Sequence, residues 1–171
     1  LWLIAAGGSG QPRRLTFTRG SESGAVWSPD SQQIAFAAKR DGDEDTQIYL
    51  LDLAAGGEAR RLTQQAGGAS SPVFSPDGRS IAYQGTHDPL AAERKSRKFN
   101  ARVYDSFPIR HWDHWLDEKR PRLFVLSLAE GAKPVDVLGR SQLVKEPGFD
   151  GFSTNSGGDL QPAWTPDGQS L

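Results

Sequence analysis

Residues 74–83 read FSPDGRSIAY, and residues 27–36 read WSPDSQQIAF. A third version, WTPDGQSL, occupies residues 164–171. Each copy runs from an aromatic residue through Ser/Thr-Pro-Asp to Gly or Ser, and the two longer ones continue into an apolar run. This is the chemistry of a tight β-hairpin. Proline presets the backbone of the first central turn position, aspartate bonds back to the turn, and glycine takes the left-handed conformation that closes a bulged loop. Ser31 stands where the other two copies have Gly78 and Gly168, so the turn signal is weaker there.

Working outward, Phe74 follows Trp27 by 47 positions. Arg14-Leu15-Thr16 recurs as Arg61-Leu62-Thr63, and Leu1-Trp2-Leu3-Ile4 recurs as Ile48-Tyr49-Leu50-Leu51, both at the same offset. Three separate segments on one offset make an internal repeat. Its pieces are short, β-branched or aromatic, and bounded by Gly and Pro, and none has the i, i+3, i+4 spacing of a helix. A repeat of this length with several strands per unit predicts an all-β fold, a β-propeller built of four-stranded antiparallel blades.

One blade can be written out: strand one from Gly24 to Trp27, strand two from Gln33 to Ala38, strand three from Gln47 to Leu53, strand four from Ala59 to Thr63. The next blade repeats the first two strands, but its third appears only at Leu123–Leu128, followed by Pro134–Leu138. An insert of about forty residues, 84–121, is expected between its second and third strands. Residues 1–19 then read as the last strands of one blade, 20–66 as a full blade, 67–140 as a full blade with the insert, and 141–171 as the start of another. A closed ring takes about 4 to 8 blades. The sequence is therefore expected to be a partial propeller, a piece of a larger protein or one chain of a closed assembly, with a further propeller segment or an oligomer closing the ring.

Hydrophobic residues make up 36% and charged residues 24%, ordinary for a folded domain. A net charge of −1 gives no electrostatic case for nucleic acid or an anionic membrane. No apolar stretch approaches the roughly 18 residues of a membrane span. The absence of cysteine removes disulfides, thiol catalysis and Cys-ligated zinc, and leaves the compartment unknown, periplasm and cytoplasm being equally compatible.

The W/F-S-P-D-G hairpin, the IYLLDL strand (residues 48–53) and the GG-x-x-RRLT strand (residues 56–63) together resemble the blades of S9, prolyl oligopeptidase-like, serine peptidases. The same blade type occurs in TolB-like periplasmic proteins. Arg110-His111-Trp112-Asp113-His114-Trp115, followed by LFVLSL (residues 123–128), is similar to the dipeptidyl aminopeptidase/acylaminoacyl peptidase branch, as is GGDLQPAWTPDG (residues 157–168). The resemblance implies a propeller that caps an α/β-hydrolase domain and restricts access to a Ser-Asp-His triad. It implies a non-catalytic role for these residues: gating and orienting peptide substrates. The alternative is a TolB-like protein-binding propeller without enzymatic activity. No serine here sits in the G-x-S-x-G elbow of a hydrolase nucleophile. Gly7-Gly8-Ser9-Gly10-Gln11 lacks the final glycine and reads as a turn. No catalytic residue and no cofactor is therefore assigned.

The insert carries the functional candidates. Asp88-Pro89 reads as an N-cap and first helical residue, opening a helix to about Phe99. Over residues 84–122, nine Lys/Arg oppose six Asp/Glu, a local excess of positive charge. That is either a solvated face or a docking surface for an acidic partner domain. In HWDHWLDE (residues 111–118), a helix would place His111, His114 and Glu118 on one face. The spacing is not that of a known zinc motif, so no metal is expected. Trp112 and Trp115 are expected to pack the insert on its blade. By the resemblance, Asp113, Asp117 and Glu118 are candidates to receive a peptide's free amino terminus, and Arg110 to hold a peptide carbonyl or acyl group. Asp41–Asp45 (DGDED) lacks the glycine and glutamate of a calcium loop and reads as a solvated turn.

Overall fold

The computed structural model describes residues 1–18, 20–90, 93, 96, 110–111, 114–115, 119–145 and 160–171. Its strands are β1 (Trp2–Leu3), β2 (Arg13–Arg14), β3 (Glu22–Trp27), β4 (Gln33–Ala38), β5 (Gln47–Asp52), β6 (Arg60–Arg61), β7 (Ala69–Phe74) and β8 (Ser80–His87). They continue with β9 (Arg110–His111), β10 (His114–Trp115), β11 (Arg120–Ser127) and β12 (Val135–Asp136), and a short 3₁₀ turn follows at Leu143–Lys145. Two four-stranded antiparallel sheets form, ordered β3-β4-β5-β6 and β7-β8-β11-β12, beside the two-stranded pairs β1-β2 and β9-β10. The fold is a partial β-propeller. β3-β4-β5-β6 and β7-β8-β11-β12 are successive blades, and β1-β2 repeats the outer half of a blade ahead of them.

The Pro-Asp turns repeat atom for atom. In the first, Ser28 Oγ donates to Asp30 Oδ1 at 2.6 Å, while the amides of Gln32 and Gln33 donate to Asp30 Oδ1 and Ser28 Oγ at 3.0 and 2.8 Å. Ser75, Asp77, Arg79 and Ser80 reproduce this, as do Thr165, Asp167, Gln169 and Ser170. These bonds to the charged form, the serine or threonine hydroxyl first, hold all three carboxylates below the usual aspartate range. Ser31 adopts the left-handed backbone (φ 59°) that Gly78 (φ 70°) and Gly168 (φ 69°) adopt without a Cβ penalty. The innermost strands share a bulge as well. Register shifts between Ser23 and Val26 and between Ser70 and Val73, with Gly24 and Ser71 at positive φ.

Side chains alternate across each sheet, so a blade has two faces to bury, and β4 and β5 of the first blade bury both. Ala35, Ala37, Ile48 and Leu50 face the next blade and pack with Phe74, Ile81, Tyr83 and Leu126. Ile34, Phe36, Ala38, Tyr49 and Leu51 face the other way, where Leu1 and Leu15 pack on them. An aromatic pair crosses strands two and three of each blade. Phe36 stands opposite Tyr49, with ring centroids 6.1 Å apart, and Tyr83 opposite Phe124, at 5.5 Å.

β8 and β11 pair over eight positions, from Ser80 opposite Ser127 to His87 opposite Arg120. They reach into both ends of the segment expected as insert, so the connection between the paired strands runs from Asp88 to Lys119. Gly85 permits this extension: the Phe124 ring lies where a Cβ would stand, 2.7 Å from the ideal position.

Candidate functional site

Strand one of each blade runs toward its Pro-Asp turn. The connections from strand two to three, and from strand four to the next blade, therefore gather at the opposite end. The loop between β4 and β5, the loop between β6 and β7, and the long insert all belong to that end.

Within the β4–β5 loop, Asp43 is a hub rather than part of a solvated turn. Its side chain is only 2% exposed. Tyr49 Oη donates to Oδ2 at 2.6 Å, the Arg40 amide donates to Oδ2 at 3.0 Å, and Arg61 Nη1 donates to Oδ1 at 2.7 Å. Burial alone would raise the Asp43 pKa, but these bonds and the Arg61 charge outweigh it and hold the carboxyl below the usual range. Burial, then the bond to Asp43, pushes the Tyr49 phenol up to about 12. The Arg40 guanidinium lies 4.4 Å from the Tyr49 ring centroid.

A second network joins strands three and four to the next blade. Thr63 Oγ1 receives the Ile48 amide at 2.9 Å and donates to Gln47 Oε1 at 2.7 Å. Gln47 Nε2 reaches the Gln65 carbonyl, and Gln65 Nε2 reaches the Thr86 carbonyl, both at 2.9 Å. Beside them a groove of about 320 Å³ is lined by Ser23, Thr46, Ser70, Gln84 and Thr86, with Ser23 and Ser70 at equivalent places in successive blades. It is shallow and of mixed character, Ala37, Ala69 and three glycines completing the lining, and its hydroxyls and the Gln84 amide can bond an extended backbone.

The insert candidates divide. Arg110 lies on β9 directly opposite Trp115 on β10, and His111 opposite His114. A strand pair, not a helix, thus carries the two histidines, and the helical spacing that would align them with Glu118 does not apply. Trp112, Asp113, Asp117 and Glu118 lie outside the described residues. Of the helix expected from Asp88, the described part holds the Leu90 amide bonded to Asp88 Oδ1 at 3.1 Å and helical Glu93 and Ser96, with Ser96 Oγ donating to the Glu93 carbonyl at 2.8 Å. Sequence reading missed Asp43 and Gln47. Their partners Arg61 and Thr63 lie in the repeated RLT segment, and a polar residue just before an apolar strand was the available signal.

No family model matches the chain, and no curated protein matches it. Among solved structures it is similar to a protein assigned as TolB from Agrobacterium tumefaciens, at 24% identity and TM-score 0.51 over 79% of this chain and 39% of that one. It is also similar to the acylaminoacyl peptidase of Pyrococcus horikoshii. The orthorhombic crystal form gives 20% identity and TM-score 0.51, and the uncomplexed enzyme 18% and 0.52, each over 79% of this chain and 19% of that one. The chain thus spans about two fifths of the first protein and one fifth of the second. The likeness is one of fold, the β-propeller.

Proposed function

We propose that these residues are the propeller portion of an S9-type serine exopeptidase, dipeptidyl or acylaminoacyl, which gates and orients peptide substrates for an α/β-hydrolase domain. One observation carries the reading. The Arg-His-Trp-Asp-His-Trp segment, with Arg110 facing Trp115 across a strand pair, enters between strands two and three at the loop-bearing end. A TolB-like binding propeller has the same blades, and the fold likeness extends to both kinds of protein.

In this reading the insert presents Asp113, Asp117 or Glu118 to a free amino terminus, a charge-assisted hydrogen bond that a blocked peptide cannot make. Arg110 holds a peptide carbonyl or acyl group. The test uses the complete protein in which these residues occur, assayed on matched free and N-acetylated peptides. Asp113→Asn or Glu118→Gln should lower kcat/KM for the free peptide by about tenfold or more and leave the blocked one within about twofold. Equal losses on both substrates would remove these carboxylates from recognition. Failure of the complete protein to label with a serine-directed phosphonate or to cleave either peptide would overturn the peptidase reading in favour of the binding propeller.

A further inference from the structure

β11 opens with two arginines on one face. Arg120, Arg122 and Phe124 alternate with Pro121 and Leu123, and Phe124 stacks on Tyr83 in the seam between the two full blades. Arg120 and Arg122 continue that face toward the loop-bearing end, about 7 Å apart along the strand. Nothing acidic meets Arg122 there. Across the ladder it stands opposite Gly85, and the space beside that glycine is taken by the Phe124 ring and Cγ of Gln65. Gln65 is turned to the Thr86 carbonyl, Nε2 donating at 2.9 Å. His87 stands opposite Arg120. On β12, Asp136 stands opposite Phe124, but its Oδ1 accepts the Gly139 amide at 2.7 Å. Among the described residues the ion pairs are those of Leu1, Arg40 and Arg61, and Arg122 has none.

The Arg122 side chain is half-buried, and its guanidinium is only partly satisfied. Nη1 donates to the carbonyl of the adjacent Pro121 at 3.4 Å, a long bond. Nε is buried and has no acceptor among the described residues. The edge made by Nε and Nη2 is one that matches both oxygens of a carboxylate. Arg40 gives the contrast. Its Nε is likewise buried without an acceptor, yet its guanidinium has the Ala59 carbonyl at 3.2 Å, Glu22 at 3.8 Å and the Tyr49 ring at 4.4 Å. A guanidinium N–H taken from water and given no acceptor is a net cost, and a second arginine on the same face raises it. An anion on that edge offsets both.

We propose that Arg122 binds a carboxylate of a peptide ligand at the loop-bearing end of this seam, either an acidic side chain or a free C-terminus. The Nε–Nη2 edge takes the two oxygens side-on, and Arg120 adds positive charge beside them. The carboxylate is assigned to a peptide because Gly85, opposite Arg122, also lines the groove whose hydroxyls can bond an extended backbone. The site follows from the strand register and the unmatched guanidinium, and it serves a peptidase propeller and a binding propeller alike.

The probes are three short N-acetylated alanine–serine peptides: a neutral C-terminal amide, the same amide with one glutamate, and the neutral sequence with a free C-terminus. Each is titrated by calorimetry into the complete protein in which these residues occur. Prior treatment with a serine-directed phosphonate prevents consumption of the peptide, and a protein without a nucleophilic serine is untouched by it, so the result stands apart from the peptidase reading. At least one acidic peptide should bind about tenfold more tightly than the neutral amide, and which one does so names the source of the carboxylate. Arg122→Lys keeps the charge but loses the two-pronged edge, and should abolish that preference. Arg122→Leu should abolish it too, and without peptide should leave Tm unchanged or raised. Equal binding of all three peptides, no binding of any, or a preference that both variants retain overturns the proposal. So does a fall in the Tm of the peptide-free Arg122→Leu protein, since the guanidinium then has its partner within the chain.

Discussion

Asp43 and Tyr49 bind each other in a way that responds to acid and to alkali. The Asp43 carboxyl is depressed, so its stabilising effect is complete above the ordinary aspartate value of 3.8 and is lost as pH falls from there through the lower folded value. The Tyr49 phenol is raised, so its effect is complete below its ordinary value of 10.0 and disappears as pH climbs toward about 12. Tyr49→Phe should lower stability by about 1 kcal/mol at neutral pH and flatten the alkaline limb of a denaturation profile taken between those two values. An unaltered alkaline limb would assign the effect to another group. At this scale the Ser/Thr-Pro-Asp turns were readable because all their partners lie within five residues. Asp43 was not, since Arg61 stands 18 residues away and DGDED has the composition of a solvated loop.

Among elements, the two full blades carry the same aromatic pair with the hydroxyl exchanged. In the first blade the tyrosine is on strand three and its hydroxyl has Asp43; in the second it is on strand two, fully buried, and its hydroxyl has no partner among the described residues. Burial pushes the Tyr83 phenol far up. An unpartnered buried hydroxyl costs about 1–3 kcal/mol, so Tyr83→Phe should stabilise the fold by about 1 kcal/mol in urea denaturation, the opposite of Tyr49→Phe. A loss of stability would mean that the hydroxyl has a partner after all, such as a buried water. Gly85→Ala places a methyl against the Phe124 ring and should cost about 1–3 kcal/mol, read in the same assay. The strands themselves were legible from alternation and turn residues. The ends of β8 and β11 were not: Gln84-Gly85-Thr86-His87 looks like a loop until the ring of Phe124 supplies the packing that Gly85 lacks.

At the scale of the molecule, the 47-residue offset fixed the architecture, because an aligned repeat of four short strands has few other solutions. The functional end was less legible. Its candidates come from a motif resemblance in the insert, while the groove between blades is assembled from residues scattered between Ser23 and Thr86. The 171-residue chain alone should cleave peptide substrates no faster than buffer, since none of its serines occupies a nucleophile elbow. Turnover that survives repurification and is abolished by replacing one of its own serines would refute this.

Pro29 of the first Pro-Asp turn lies against Gly78 of the second, and Pro76 against Gly168 of the third, and this seating has a consequence for how such chains grow. A single gene segment encodes both plug and socket, so tandem duplication yields a new neighbour that already fits the old one. Lengthening the array then calls for no co-evolved surface. A deletion within one corner, by contrast, disturbs the seams on either side of it.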